Sequence, residues 1–341
     1  MLRVAVIGAG VNGVACAIKI LEHYQDEKKT NVQVTIISDE FTPNTTGDGS
    51  AGLWGPYLLG GTDESKVHKW SRDMHLFLEK IWLSEDAGEA GVCLIPCVRL
   101  STDPNASVGE FWRDIVYGAV DLTAEQLTAY NKNRDIKFTS GLSFVTYTSE
   151  PVKLLPYLTK RFVRRGGRIE QQKVTDLETF VRDSPYDVIV NCTGLGSRQL
   201  LNDDSMYAVR GQVTRIKANW VFTAILDESD VGNYIIPNTE SVVLGGTHQV
   251  KDYSTKVCET DKRFIIDGCR SLMPALEHTQ HLFDWVGLRP GRDQLRLESE
   301  RRGRKLLIHN YGHGGSGVTL AWGCADDVLS LLVAAQIKSH L

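Results

Sequence analysis

Cysteine is too scattered in this chain to act as a scaffold. The seven residues, at 16, 93, 97, 192, 258, 269 and 324, are odd in number, and no pair stands at zinc-knuckle spacing. Cys93 and Cys97 share a short apolar stretch without histidines. A disulfide framework and a zinc module are thereby excluded, no metal site is expected, and reduced, buried thiols of an intracellular compartment are the reading. Charge of one sign is lacking too. The 38 Lys and Arg against 42 Asp and Glu leave a formal charge of −4, with no global pull toward nucleic acid or an anionic membrane. The local basic cluster of Arg161, Arg164, Arg165 and Arg168 reads as a solvated helix end before Gly166-Gly167. No apolar run is expected to reach the length of a membrane span, so no membrane insertion is expected. A strand-forming run from residue 2 leads us to expect no signal peptide, which makes the sequons at Asn44, Asn105 and Asn191 chance matches. Internal repeats and low-complexity segments are absent as well.

What is present begins with size. At 341 residues, 42% of them hydrophobic, the chain exceeds the usual single core, and two domains are expected. It opens with Leu2-Arg3-Val4-Ala5-Val6-Ile7, of buried-strand composition, followed by Gly8-Ala9-Gly10-Val11-Asn12-Gly13 and a helical stretch from Val14 to about Tyr24. A lone G-x-G-x-x-G says little, but between a strand and an amphipathic helix it marks a dinucleotide site. The first glycine permits the tight turn, the second admits a pyrophosphate, and the third lets helix and strand touch. A second strand, Val32 to Ser38, ends at Asp39, whose carboxylate suits ribose hydroxyls and repels a 2′-phosphate.

The far end carries a second glycine-rich loop. An apolar strand with Ile308-His309-Asn310-Tyr311 leads into Gly312-His313-Gly314-Gly315-Ser316-Gly317-Val318-Thr319 and an apolar helix. Such a loop lets backbone pass close to a bulky ligand, and the helix start offers donors to an anionic or carbonyl group. On its own it fits any phosphate or cofactor, or a plain turn. Between the two loops, residues 41–54 form a polar stretch in which Thr45 and Thr46 suit phosphate or ribose oxygens and Gly52-Leu53 suits the underside of a flat ring. Residues 65–82 place Val67, Trp70, Met74, Phe77, Leu78 and Ile81 at helical spacing, a core stripe. Short strands alternate with turns from about 92 to 147 and again over 207–250, a helix is expected over 151–165, and strands over Arg168–Val174 and Asp187–Gly194. Val286-Gly287-Leu288-Arg289-Pro290 sets an arginine on extended backbone before a proline, able to grip a carboxylate with both nitrogens. A single arginine is more often a surface ion pair.

Taken together, the segment 308–325, the first glycine motif, Ser38-Asp39-Glu40-Phe41-Thr42-Pro43, Ala51-Gly52-Leu53-Trp54, Val188–Gly194, Arg210-Gly211-Gln212-Val213 and Gly287-Leu288-Arg289-Pro290 closely resemble the FAD-dependent D-amino-acid oxidases over essentially the whole chain. The resemblance implies an α/β chain: an FAD-binding Rossmann-like domain of glutathione-reductase type from 1–60, 148–205 and 280–341, and a mixed, mostly antiparallel β substrate domain from 61–147 and 206–279. It implies FAD held by Gly8, Ala9, Gly10, Val11, Gly13, Asp39, Glu40, Thr45, Thr46, Gly47, Gly52, Leu53, Val174, Cys192, Gly194, Arg289, Gly314, Gly315, Gly317, Val318 and Thr319. Arg289 and Tyr234 would hold the substrate α-carboxylate, and the backbone carbonyl of Gly315 or Ser316 would receive its amine, with Tyr57 and His248 beside them. The implied reaction is hydride transfer from the D-amino acid to the flavin, giving an imino acid that hydrolyses to a 2-oxo acid and ammonia while dioxygen becomes hydrogen peroxide. A protein base at the Cα proton is not needed, so His309 and His313 are expected to shape the flavin loop.

Within the family, Gly194–Leu200, Leu244-Gly245-Gly246-Thr247 and Asp86–Val92 look more like the D-aspartate oxidases, while Leu53–Leu58 reads like the branch acting on neutral D-amino acids. The acidic branch implies an arginine after Gly-Gly-Thr and another ahead of Tyr234. Here His248 stands at the first place and Leu226-Asp227-Glu228-Ser229-Asp230 at the second. A protonated His248 attracts an acidic side chain only weakly and is equally readable as a neutral structural histidine. Asp227, Glu228 and Asp230 would repel a dicarboxylate if they face the pocket, and are otherwise solvated loop residues. The expectation is an oxidase preferring D-aspartate and D-glutamate; a neutral-substrate oxidase acting on D-alanine is the alternative, and a glycine or sarcosine oxidase a more distant one. A nicotinamide dehydrogenase would share the first motif but would not need the loop at 312–319. The final Ser339-His340-Leu341 is a near variant of the S-K-L address, so the peroxisomal import receptor is an expected partner.

Overall fold

The computed structural model describes residues 1–26, 31–106, 108–132, 137–229 and 232–337. Two sheets organise it. The first has six strands in the order Arg296–Arg302, Lys305–Tyr311, Val188–Asn191, Leu2–Ile7, Val32–Ser38, Arg168–Gln171. Leu2–Ile7 pairs in parallel with Val32–Ser38 and with Val188–Asn191, and only the outer Arg296–Arg302 hairpin strand runs antiparallel. Val4, Ala5 and Val6 are wholly buried, as the uninterrupted apolar run of a strand covered on both faces requires.

Helix Val11–Asp26 follows the first glycine loop and packs on the last helix, Gly317–Ile337, which in turn packs on Glu64–Trp82. The six residues of the expected core stripe, Val67 to Ile81, are all buried on that helix. Trp322 stacks on Phe77 with ring centroids 3.6 Å apart. A side chain at Gly323 would collide with the backbone of Trp70, so glycine sets how closely these two helices approach. Gly317–Ile337 corrects one expectation: its 21 residues, with a most apolar window of hydropathy 1.5, are long and apolar enough to cross a membrane. Here it is a core helix, hydrophobic nearly all round because it is covered from several sides. Its Asp327, which breaks the apolar run in the sequence, accepts from Trp70 Nε1 at 2.8 Å and Lys69 Nζ at 2.9 Å.

The second sheet has nine strands. Gln249–Val250, Met206–Lys217, Val242–Gly245, Tyr234–Pro237, Ala224–Asp227, Val92–Ser101, Ser140–Ser149 and Tyr117–Asp121 follow in that order, and Gln280–Arg292 also pairs with Met206–Lys217. All pairs are antiparallel except Val92–Ser101 with Ala224–Asp227. The expected boundary at 280 assigns Gln280–Arg292 to the FAD-binding part; its hydrogen bonds put it in this sheet instead, with Arg289 opposite Val209. A strand this long is assigned by the partner it finds, which periodicity does not reveal.

Candidate active site

The nucleotide end is built by close packing around glycine. Gly8 has φ +107°, and a Cβ there would lie 2.5 Å from the Cys192 carbonyl oxygen, while one at Gly13 would collide with the Gly8 carbonyl. Loop, helix and neighbouring strand therefore meet without side chains, and Ala9, Val11 and Cys192 are buried around them. Gly10 differs: a Cβ there meets nothing within 4 Å, so its backbone faces open space at the start of a helix, where peptide N–H groups favour an anion. Asn12 Oδ1, in the first turn of the helix that follows, is buried without a partner among the described residues. Asp39 and Glu40 are exposed just past the second strand, with Lys173 Nζ 3.4 Å from the Asp39 carboxylate.

Other expected cofactor residues take varied places. Thr46, Gly52 and Leu53 line the main cavity, but the Thr45 hydroxyl donates to Asp48 at 2.7 Å and so shapes its own loop around Gly47. Val174 lines a separate, smaller cavity with Ile37, Phe180 and Tyr186. Gly194, at φ +52°, starts the turn that leaves strand Val188–Asn191.

The second glycine loop is fastened to residues 55–58. Tyr57 N donates to Ser316 Oγ at 2.6 Å, and that hydroxyl donates back to Tyr57 O at 2.7 Å. Thr319 Oγ1 accepts from Gly55 N at 3.2 Å and donates to Gly55 O at 3.1 Å. Side chains at Gly314 or Gly315 would collide with Leu58 or Tyr57, so only glycine permits this contact. Gly315, Val318 and Thr319 line the cavity, whereas Ser316 is wholly buried beneath it; of the two carbonyl positions expected to meet an amine, Gly315 is the one at the cavity wall. A Cβ at Gly317 would stand 3.4 Å from Asn12 Nδ2, so the two glycine loops meet. His313 is buried, its Nε2 has no partner among the described residues, and burial holds its pKa down to about 3. His309, also buried, lies 3.1 Å from Glu300 and is likewise held low by burial. Neither ring lines the cavity.

The cavity, of about 540 Å³, is lined by a cation and two phenols, Arg289, Tyr57 and Tyr234. Arg289 donates to Thr247 O at 3.0 Å, and its guanidinium lies so close over Gly211 that any side chain there would strike it. The Tyr234 ring lies on Gly245 and Gly246 in the same way. Burial raises the Tyr234 phenol, with Arg289 opposing, and desolvation raises Tyr57 against the same guanidinium. Both phenols therefore stay protonated at neutral pH and can donate toward an anion beside Arg289. Trp285, seated between Gly49 and Gly287, with Val213, Leu226 and Ile236 supplies an apolar wall. His248 is exposed where it lines the cavity.

Among the cavity residues that sequence reasoning missed, one carries a charge. Arg99, on strand Val92–Ser101, is buried with its Nη1 3.2 Å from Glu228 Oε1. The signal was available: a charge in an otherwise apolar strand needs a partner. Asp227 and Glu228 both line the cavity, the position from which they are expected to repel a dicarboxylate, and Glu228 is paired there with Arg99; Asp230 lies outside the described residues.

Residues 3–331 match the family model described as FAD dependent oxidoreductase, DAO. The chain belongs to this family. It is 38% identical to the D-amino acid oxidase of Dugesia ryukyuensis over 348 residues, covering 100% of both chains. It is 36% identical to the D-aspartate oxidase of Homo sapiens over 334 residues, covering 97% of this chain and 94% of the relative. Among solved structures, glycine oxidase from Bacillus cereus ATCC 14579 shares the fold with a TM-score of 0.77 at 18% identity, over 98% of this chain and 96% of its own. The cofactor of this oxidoreductase is FAD. The site fits it: Gly10 has open space where a Cβ would stand, glycines form part of the cavity wall, and Asn12 Oδ1 and Ser50 Oγ are buried polar atoms that lack protein partners among the described residues.

Proposed function

We propose that this oxidoreductase deaminates D-amino acids oxidatively, preferring D-aspartate and D-glutamate, and yields a 2-oxo acid, ammonia and hydrogen peroxide. The observation that carries the reading is the Arg289–Tyr234 pair, held over Gly211 and Gly245-Gly246 in the wall of a partly apolar cavity. A planar guanidinium with a protonated phenol beside it matches an α-carboxylate in geometry and charge. The Gly315 carbonyl accepts from the substrate amine, and the two anchors fix the Cα between them, a positioning effect that lowers the barrier by several kcal/mol. Trp285, Leu226 and Ile236 exclude water from the bound substrate. Bound FAD supplies the two-electron oxidation, with dioxygen as the final acceptor. No side chain has to take the Cα proton, in keeping with His309 and His313 standing off the cavity wall.

The D configuration and the choice between acidic and neutral side chains lean on the relatives named D-amino acid oxidase and D-aspartate oxidase. Action on neutral substrates such as D-alanine is the second reading, favoured by Glu228 on the cavity wall. Peroxide release from the FAD-loaded protein, measured over D-aspartate, D-glutamate, D-alanine, their L forms and glycine, tests the assignment. Release with the D forms, led by the acidic pair, is expected; release led by glycine or by any L form would defeat it. We place the protein in the peroxisome through Ser339-His340-Leu341, which lies outside the described residues.

A further inference from the structure

Arg99 is placed as a substrate ligand would be, and the residues around it leave it incompletely paired. It is 9% exposed, on a strand whose neighbours Val98 and Leu100 are core. Its guanidinium lies 4.8 Å over the Trp112 ring and against Gly55, where any Cβ would stand 2.6 Å from Nη2. Its ion pair is with Glu228, Nη1 to Oε1 at 3.2 Å, and its Nε has no partner among the described residues. A buried guanidinium with spare donors is costly unless a second acceptor arrives. Glu228 is the looser member. It follows the end of strand Ala224–Asp227, and its side chain is 36% exposed against 11% for Arg99. Both residues line the cavity that contains Arg289 and Tyr234, and Glu228 is close enough to the Tyr57 phenol to raise it.

We propose that Arg99 determines specificity by binding the side-chain carboxylate of a dicarboxylic D-amino acid, which displaces the Glu228 carboxylate from it. This rests on the proposed function of the same cavity. The fixed partner of the pair is the cation, so the group exchanged is an anion. Arg289 takes the α-carboxylate and Arg99 the second one, which supplies a guanidinium that positions 226–230 and 248 lack. A small neutral substrate leaves the Arg99–Glu228 pair closed.

The test uses the FAD-loaded protein, its Arg99→Gln and Glu228→Gln variants, and two readouts. The first is the ratio of kcat/KM for D-aspartate or D-glutamate to that for D-alanine. The second is the dissociation constant of succinate and of propionate, neither of them oxidised, read from the change each causes in the flavin spectrum. Arg99→Gln should lower the ratio at least tenfold, mainly through KM, and weaken succinate at least tenfold more than propionate. Glu228→Gln, on the exposed side of the pair, should move both in the opposite direction, and it decides the matter if Arg99→Gln does not fold. Ratios and succinate affinities within twofold of the parent in Glu228→Gln would overturn the proposal. So would improved turnover of D-lysine in Arg99→Gln at an undiminished dicarboxylate ratio, which would hand the role to Glu228. If the parent protein prefers D-alanine, the acidic-substrate reading fails by itself. Opposite shifts of succinate binding in the two variants would still support the Arg99 site, and their absence would remove it.

Discussion

Replacing Arg289 by alanine removes the group on which the carboxylate assignment stands. Its guanidinium is held in place by the Thr247 carbonyl at 3.0 Å and lies against the bare backbone of Gly211. Truncating one partner of a buried, hydrogen-bonded charge pair costs about 2–5 kcal/mol. That corresponds to a loss of roughly 30- to 5,000-fold in kcat/KM. Tyr234 does not compensate: Arg289 lowers its pKa, so losing the cation leaves the phenol more firmly protonated, still one neutral donor. Arg289→Lys should recover part of the loss, because a point charge replaces a fork. Oxygen uptake at several substrate concentrations gives kcat/KM, and the flavin absorbance per polypeptide shows whether FAD is kept. A loss under threefold in Arg289→Ala with normal flavin content would refute the assignment.

Gly10→Val should fold but lose FAD, since a Cβ there meets no protein atom within 4 Å and the side chain enters the space open to a pyrophosphate; full flavin content in the purified variant would contradict this. Burial lowers His75 to about 4 and His313 to about 3 from an ordinary 6.5. The unfolded chain therefore binds the extra protons first, and stability should fall as pH drops below about 6.5, a decline that continues until those folded values are reached. Melting temperatures between pH 7 and 5 should show that slope, and it should flatten in His313→Gln; equal slopes in parent and variant would exclude His313 as a source. Deleting Ser339-His340-Leu341 should disperse a fluorescently tagged protein from peroxisomal puncta into the cytosol, and unchanged puncta would remove the targeting proposal.

Much of this fold was readable because local chemistry and tertiary role coincide. The glycine motif at 8–13 lies where strand, loop and helix touch, and the stripe from Val67 to Ile81 is buried where helical spacing puts it. Arg289 and Tyr234 were singled out by the family resemblance; both line the cavity, and the structure adds why Gly211, Gly245 and Gly246 must stay bare: they carry the two side chains. What stayed hidden depends on distant partners. Arg99 becomes meaningful only beside Glu228, far along the chain, and Thr45 turns to Asp48 inside its own loop. The span-length apolarity of Gly317–Ile337 was masked by Asp326 and Asp327, residues that pair with Lys19 and Lys69. The sheet membership of Gln280–Arg292 rests on its register with Met206–Lys217, which no local pattern specifies.

The most direct test is anaerobic titration of the purified holoprotein, following flavin absorbance at about 450 nm, with D-aspartate, D-alanine, L-aspartate and glycine added separately. Rapid bleaching by D-aspartate, slower bleaching by D-alanine and none by L-aspartate is the predicted result. Bleaching by L-aspartate or glycine ahead of both D-amino acids would contradict the account.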